Sequence, residues 1–454
     1  MNVILFTGAA VMTVDTEGTI YDPGWLVVEN DRIFQVGDGE PPESYRRSAN
    51  KVIEAPGCVV MPGMINAHTH LFQTLFRGLA DDKSLLDWLQ DCIWPGAVEL
   101  NSETAYAAAI LGLIENLRGG ATTVVDHQYI HIDPEIDNVV CKAAAEIGIR
   151  FVLARGWADR NYHPLLTESS ETILKRTIPI VEKWHGSQEG RIQVGLAPLI
   201  PWGCSDNAMK ATVEACRSWG GSTHIHCAET AVEVEMNIKE RKTRHVNWLN
   251  SLELLGPDFQ LAHSVWLEDA ELDLIAQSGA SVVHCPVSNM YLASGVARIR
   301  DMLDRNINVA LASDGPGSNN RQDMFEACKT TALLQKVTQL NPTVLQPEEV
   351  LEMACKNGAR LIGHDNDLGV IKPGGKADLI VVNLNTPMAA PVHRIPSALV
   401  YCCTAGDIIH SMVDGRLLIE NGVLTRTDEG NAIEQAKKAA FQVFSNAGIP
   451  TRLT

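Results

Sequence analysis

A chain of 454 residues exceeds what one small core fills, so it forms either one large barrel or two to three domains. It is 45% hydrophobic and 20% charged, the balance of an ordinary soluble globular protein. The net charge of −18 argues against nucleic-acid backbones and anionic membranes as partners, and no apolar run reaches the roughly 18–20 residues of a membrane span.

The first residues, Met1-Asn2-Val3-Ile4-Leu5-Phe6-Thr7-Gly8, lack a basic leader and a long apolar stretch, and read as a first strand rather than a signal peptide. Short β-like runs follow within residues 1–57, at 2–6, 24–29, 32–36 and 52–55, punctuated by Asp22-Pro23-Gly24 and Glu29-Asn30-Asp31-Arg32. The pattern then changes. Eight apolar runs, at 59–65, 122–126, 150–154, 192–197, 223–227, 259–262, 280–284 and 308–312, alternate with amphipathic stretches such as 101–118, 206–219 and 267–277. Eight strand-then-helix units predict an α/β fold, a (β/α)8 barrel over 58–368. A doubly wound sheet fits the alternation less well. Residues 369–426 return to short strands, at 379–382, 408–413 and 417–420. Both chain ends are therefore expected to build one small β-sandwich domain, 1–57 plus 369–426. A closing helix over 431–447 and a tail complete the 427–454 segment.

The 11 cysteines are scattered, odd in number and free of any Cys-x-x-Cys, which predicts reduced, buried thiols and a cytoplasmic protein. A large soluble barrel is also expected to form a homo-oligomer, a dimer or tetramer.

In a barrel of this kind the reactive groups gather at the C-terminal ends of the strands. His68 and His70 close the first run, one residue apart, so that in an extended strand both rings point the same way. The fifth run carries His224-Ile225-His226-Cys227-Ala228-Glu229, the sixth leads into His263, the seventh ends at His284 and the eighth leads into Ser313-Asp314-Gly315. Six of the 14 histidines fall at these ends, which core histidines scattered at random would not give. Several neutral imidazoles with one carboxylate suit zinc or ferrous iron.

The motifs PGMINAHTH (62–70), LFRGLADD (75–82), HIHCAET (224–230), LAHSVWL (261–267), HCPVSNMYLASG (284–295), ASDGPGSNN (312–320) and KPGGKADLIVV (372–382) together resemble the amidohydrolase superfamily, and within it the deaminases of amino-substituted heteroaromatic rings. The resemblance implies His68, His70, His226 and Asp314 as ligands of one divalent metal ion, zinc or else iron. It implies Glu229 as general acid/base and His263 beside the activated water, with Asp314 sharing in catalysis. Binuclear members carry a lysine at the end of the fourth strand. Here that end reads Gly195-Leu196-Ala197-Pro198-Leu199, so one ion is expected and no bridging group.

The resemblance implies a small heterocycle as substrate, and here two resemblances compete. The stretch 79–95 looks like deaminases of S-adenosylhomocysteine, methylthioadenosine and 5'-deoxyadenosine. Yet Ala97 stands where those enzymes hold the glutamate that binds ribose hydroxyls, and Leu199 where they hold a purine-contacting histidine. A lost hydroxyl acceptor weakens a nucleoside. Asp126-His127-Gln128-Tyr129 instead looks like the deaminases of pterins, oxidised guanine and s-triazines, and Gln73 and Arg155 fit them too. The expectation is therefore a free ring, with Gln73, Gln128, Tyr129, Arg155, Trp94, Leu199 and Asn289 as contacts. The alternatives are an adenosine-type nucleoside, or a triazine losing chloride or an alkylamine.

Overall fold

The computed structural model describes residues 2–79 and 81–450. Its strands fall into two sheets. The first is a nine-stranded mixed sheet drawn from both chain ends, and the second is eight-stranded.

The mixed sheet is built around the strand Val3–Met12, which pairs antiparallel with Ile20–Glu29 on one side. On its other side its first half pairs with Lys51–Glu54 and its second half with Cys58–Pro62, both parallel. Cys58–Pro62 then pairs antiparallel with Leu379–Asn383, and Ile408–Val413 and Arg416–Glu420 extend the sheet. Eight of its strands hydrogen-bond along one continuous path, with Lys51–Glu54 beside it on Val3–Met12, and the small β domain expected from both chain ends is present as this mixed sheet. Alternation sorts the two faces. Ile4, Phe6, Leu26 and Val28 enter a large core with Val60, Leu379 and Val381, whereas Val3, Leu5, Trp25 and Val27 pack on the other side with Tyr45.

The run at 59–65 is two strands. Cys58–Pro62 belongs to the mixed sheet and Met64–Thr69 opens the second sheet. Gly63 makes the break possible, because a Cβ there would run into the Thr122 side chain. The second sheet then takes Ala121–Gln128, Arg150–Trp157, Ile192–Pro198, Thr223–Cys227, Phe259–His263, Ser281–His284 and Val309–Leu311 in sequence order. From the third strand to the eighth every neighbour runs parallel. All eight strands are buried along their length save Gln193, as parallel strands covered on both faces must be. Helices such as Ser102–Arg118, Asp206–Ser218 and Asp269–Ser278 connect them. The Asp314 N–H donates to the His68 carbonyl over 3.0 Å, so the chain just past the last strand meets the end of the first.

The chain divides into two compact units. One comprises Met1–Asn66, Glu115–Thr123 and Asp323–Thr427, and the other Ala67–Ile114, Val124–Gln322 and Asp428–Thr454. In the second unit the helix Glu429–Asn446 buries Ala432, Ala436, Ala439, Ala440, Val443 and Phe444, a stripe of helical period. Its Phe444 packs edge-on against Phe76, with ring centroids 5.0 Å apart. All 11 cysteines are free thiols, and only Cys402 is less than buried. Among the described residues no helix is long and apolar enough to cross a membrane.

Candidate active site

The strand ends converge on one cluster in the second unit. His68 and His70 point their Nε2 atoms at the same oxygen, Asp314 Oδ1, each at 3.4 Å. His263 Nε2 lies 3.7 Å from Glu229 Oε2 and 3.9 Å from Asp314 Oδ2. His226, two residues after His224 on the fifth strand, joins His68 and His263 in a group whose ligand atoms all lie within 4.8 Å of one another. Backbone geometry is unusual here. Ala228, His263 and Asp314 have φ of 48°, 65° and 63°, a left-handed conformation that costs energy in residues with a Cβ and that gathers at functional sites.

Each side chain is held from behind. His70 Nδ1 lies 2.7 Å from the His127 carbonyl and His226 Nδ1 2.7 Å from the Leu199 carbonyl, so both rings carry their proton on Nδ1 and leave Nε2 bare. Asp314 Oδ1 accepts from the Gly315 N–H at 2.6 Å, and Oδ2 from Ser318 Oγ at 3.1 Å. Glu229 Oε1 accepts from Ser294 Oγ at 3.2 Å. The next residue, Thr230, caps the helix Ala231–Arg241 in a reciprocal box with Glu233, which fixes the chain direction as it leaves Glu229.

Burial pushes the pKa of His68, His70 and His226 down, keeping their rings neutral. Burial opposes the ionised Asp314 as well, but His68, His263 and His70 around it outweigh that and hold the carboxyl well below its usual range. His263 is raised, because Glu229 and Asp314 face it strongly enough to overcome its burial. Burial, helped by the charges of Glu233 and Asp314 and opposed by His263, lifts Glu229 to about 7. A carboxyl balanced near neutrality can both give and take a proton.

Neutral imidazoles beside an ionised carboxylate are the donor set a divalent metal ion requires, with every ligand deprotonated. Among the described residues the buried Nε2 atoms of His68 and His263 have no hydrogen-bond partner, which fits a group held between them.

A cavity opens on this cluster, lined at its polar end by His70, His226, Glu229, His263, Asp314 and Ser318. Its remaining walls are Leu85, Trp88, Leu89, Tyr129, Tyr162, Leu199, Ile200 and Leu292. Of the expected substrate contacts, Tyr129 and Leu199 line it. The other five do not. Gln73 is buried and donates to Tyr129 Oη over 3.3 Å. Gln128 turns its oxygen back to the Ile130 N–H. Arg155 is wholly buried in ion pairs with Asp137 (3.0 Å) and Glu168 (2.8 Å). Trp94 stacks edge-on against Tyr162, and Asn289 Oδ1 accepts from His263 Nδ1 at 2.9 Å.

The sequence reading assigns no role to several groups that the fold brings here. His127, at the end of the second strand, is buried, forms a three-imidazole group with His68 and His70, and has no hydrogen-bond partner on either ring nitrogen among the described residues. The strand-end rule that found the other histidines also points to it. Leu85, Trp88 and Leu89, spaced i, i+3, i+4, were legible as one helix face, although nothing local says that this face meets a cavity.

Residues 59–418 match the amidohydrolase family. The chain belongs to that family. It is 38% identical over 447 residues to a protein of Methanosarcina mazei named 5'-deoxyadenosine deaminase, covering 97% of this chain and 98% of the relative. It is 35% identical over 434 residues to the 5-methylthioadenosine/S-adenosylhomocysteine deaminase of Dictyoglomus turgidum, covering 95% and 98%. A crystal structure of an adenosine deaminase from Xanthomonas campestris with bound zinc superimposes with a TM-score of 0.91 at 27% identity, covering 97% and 98%. This chain is a hydrolase acting on C–N bonds of cyclic amidines. The names of these relatives weigh against the free-ring preference drawn from Ala97, Leu199 and the 126–129 motif, and favour the nucleoside alternative.

Proposed function

We propose that this chain deaminates an adenosine-type nucleoside with a modified 5' position, replacing the ring amino group with a carbonyl and releasing ammonia. The observation that carries the reading is identity of 35–38% along nearly the whole chain to enzymes named for such substrates. In this reading the eight strands of the second sheet close into a (β/α)8 barrel, with the cavity at their C-terminal ends.

In this reading His68, His70, His226 and Asp314 hold one divalent ion, zinc or iron. The ion supplies Lewis acidity that brings the pKa of a water towards neutrality. The chain's residues do the rest. His263, facing both Glu229 and Asp314, orients the attacking water. Glu229 gives its proton to the ring nitrogen next to the amino-bearing carbon, takes one from the attacking water and passes it to the departing amine, and recovers the water's second proton as the carbonyl forms. Water adds at that carbon, the C–N bond breaks, and ammonia leaves with the carbonyl product.

The apolar wall of Leu85, Trp88, Leu89 and Leu292 suits an uncharged 5' group such as methyl or methylthio. With alanine at position 97, Tyr129 and Tyr162 are the cavity residues available to the sugar hydroxyls. The test is ammonia release from 5'-deoxyadenosine, methylthioadenosine, S-adenosylhomocysteine and adenosine, set against adenine, a pterin, oxidised guanine and an aminotriazine. Turnover of the nucleosides alone is expected. Turnover restricted to the free rings overturns the nucleoside reading.

A further inference from the structure

His68 differs from the other two histidines proposed as ligands, His70 and His226, in what stands behind it. The Nδ1 atoms of His70 and His226 meet backbone carbonyls. His68 Nδ1 meets another imidazole, His224 Nε2, at 2.8 Å, and His224 Nδ1 in turn lies 2.8 Å from Gln260 Oε1. His68, His224 and Gln260 are all fully buried. The placement follows from strand register. His224 and Gln260 are direct partners across the fifth and sixth strands, and their side chains share one face.

A backbone carbonyl accepts only, and so fixes a tautomer unaided. An imidazole can give or accept, so the His68–His224 contact admits two proton patterns. In one, Gln260 Oε1 accepts from His224 Nδ1–H, His224 Nε2 accepts from His68 Nδ1–H, and His68 Nε2 is bare. In the other, the Gln260 amide is turned over, each proton sits on the opposite nitrogen, and His68 Nε2–H points at Asp314 Oδ1, 3.4 Å away. Only the first leaves His68 able to bind a metal ion.

We propose that Gln260, acting through His224, is a positioning residue that holds His68 in its Nδ1–H tautomer and so sets how tightly the site retains a divalent metal. The inference rests on the reading of His68 as a ligand. Groups behind ligating histidines typically change metal affinity by about 10- to 100-fold when removed.

The test strips the full-length protein with a chelator and titrates zinc against a chromophoric competitor, with folding followed by circular dichroism. Gln260→Met and His224→Phe, which remove the acceptors at similar volume, are expected to weaken zinc by about 10- to 100-fold. Gln260→Glu keeps an acceptor in place and is expected to bind zinc at least as tightly as the wild type. A folded Gln260→Met protein with wild-type zinc affinity overturns the proposal. Should that variant fail to fold, weakened zinc binding by Gln260→Glu overturns it instead. Failure of the underlying reading looks different, because His68→Ala would then retain zinc as tightly as the wild type.

Discussion

In the proposed mechanism Glu229 does two jobs with one carboxyl, and its surroundings suit both. It is 2% exposed, within 3.7 Å of His263 Nε2, and lifted to about 7 by burial first and by the neighbouring carboxylates Glu233 and Asp314 second. Glu229→Gln keeps the shape and an oxygen for Ser294 but cannot carry the proton. The expected outcome is a loss of about 10²–10⁴-fold in kcat, with metal content unchanged, checked by steady-state kinetics and metal analysis on one preparation. Near-normal turnover would remove Glu229 from the mechanism. The residues of this cluster were legible in the sequence because each sits at a strand end, and strand ends can be read one at a time. Arg155 and Gln128 were not legible in the same way. Their partners decide their roles, and Asp137 and Glu168, which neutralise Arg155, lie on the segments before and after its strand, and no local pattern connects them to it. Gln73, likewise, is spent on Tyr129, and Asn289 on His263, one step back from the cavity.

At the scale of elements, two pieces shape the cavity without touching the polar cluster. The helical segment beginning at Leu85 lays Leu85, Trp88 and Leu89 along one wall, and the Trp88 indole N–H anchors it to the Gly317 carbonyl at 2.9 Å. Trp88→Leu shrinks that wall and frees the anchor. KM for the nucleoside should rise about tenfold, a loss of about 1.4 kcal/mol of binding, while kcat stays within a few-fold. A fall in thermal stability with KM unchanged would mean that this wall does not meet substrate. The third strand makes the other contribution. A Cβ on Gly156 would stand 2.8 Å from the Tyr129 Cα and 2.9 Å from His127, so glycine is what lets the second strand's end come this near. Gly156→Ala is expected to cost about 1–3 kcal/mol of stability by overpacking and to lower activity by moving Tyr129, measured by urea unfolding and kinetics. Element boundaries were readable to within a few residues except at 59–65, where an unbroken apolar run hides two strands. The break at Gly63 depends on the approach of Thr122, a contact nearly sixty residues away in sequence.

Across the whole molecule, the alternation of strands and helices foretold the parallel sheet, and the return of short strands after 370 foretold that the chain ends share a sheet. The strand order of that mixed sheet was not readable, since Cys58–Pro62 sits between strands from opposite ends of the chain and its neighbours are chosen by packing rather than by sequence adjacency. The same long-range packing leaves its mark on the stability of the fold. His245 is fully buried and lies far along the chain from the residue it supports. Its Nδ1 accepts the Ala228 N–H at 2.8 Å, holding Ala228 at its positive φ just before Glu229, and its Nε2–H donates to the Glu233 carbonyl at 3.2 Å. A ring that accepts at Nδ1 must be neutral, and burial holds its pKa down at about 3, well below the 6.5 of an exposed histidine. The sign follows. Above pH 6.5 neither the folded nor the unfolded ring binds a proton, and the contribution of His245 is whole. As pH falls from 6.5 towards 3 the unfolded ring takes up a proton that the folded ring refuses, so the folded state loses up to about 1.4 kcal/mol per pH unit from this one group. Other buried groups titrate over the same range, so the measurement is a difference. His245→Gln, whose amide oxygen can accept the same N–H at any pH, is compared with the wild type by urea unfolding at pH 8 and at pH 5. At pH 8 the wild type should be the more stable, by the packing of its ring. By pH 5 that advantage should shrink by about 2 kcal/mol, whereas an advantage equal at the two pH values would mean that His245 is protonated in the fold and that its bond to Ala228 is not the one drawn here.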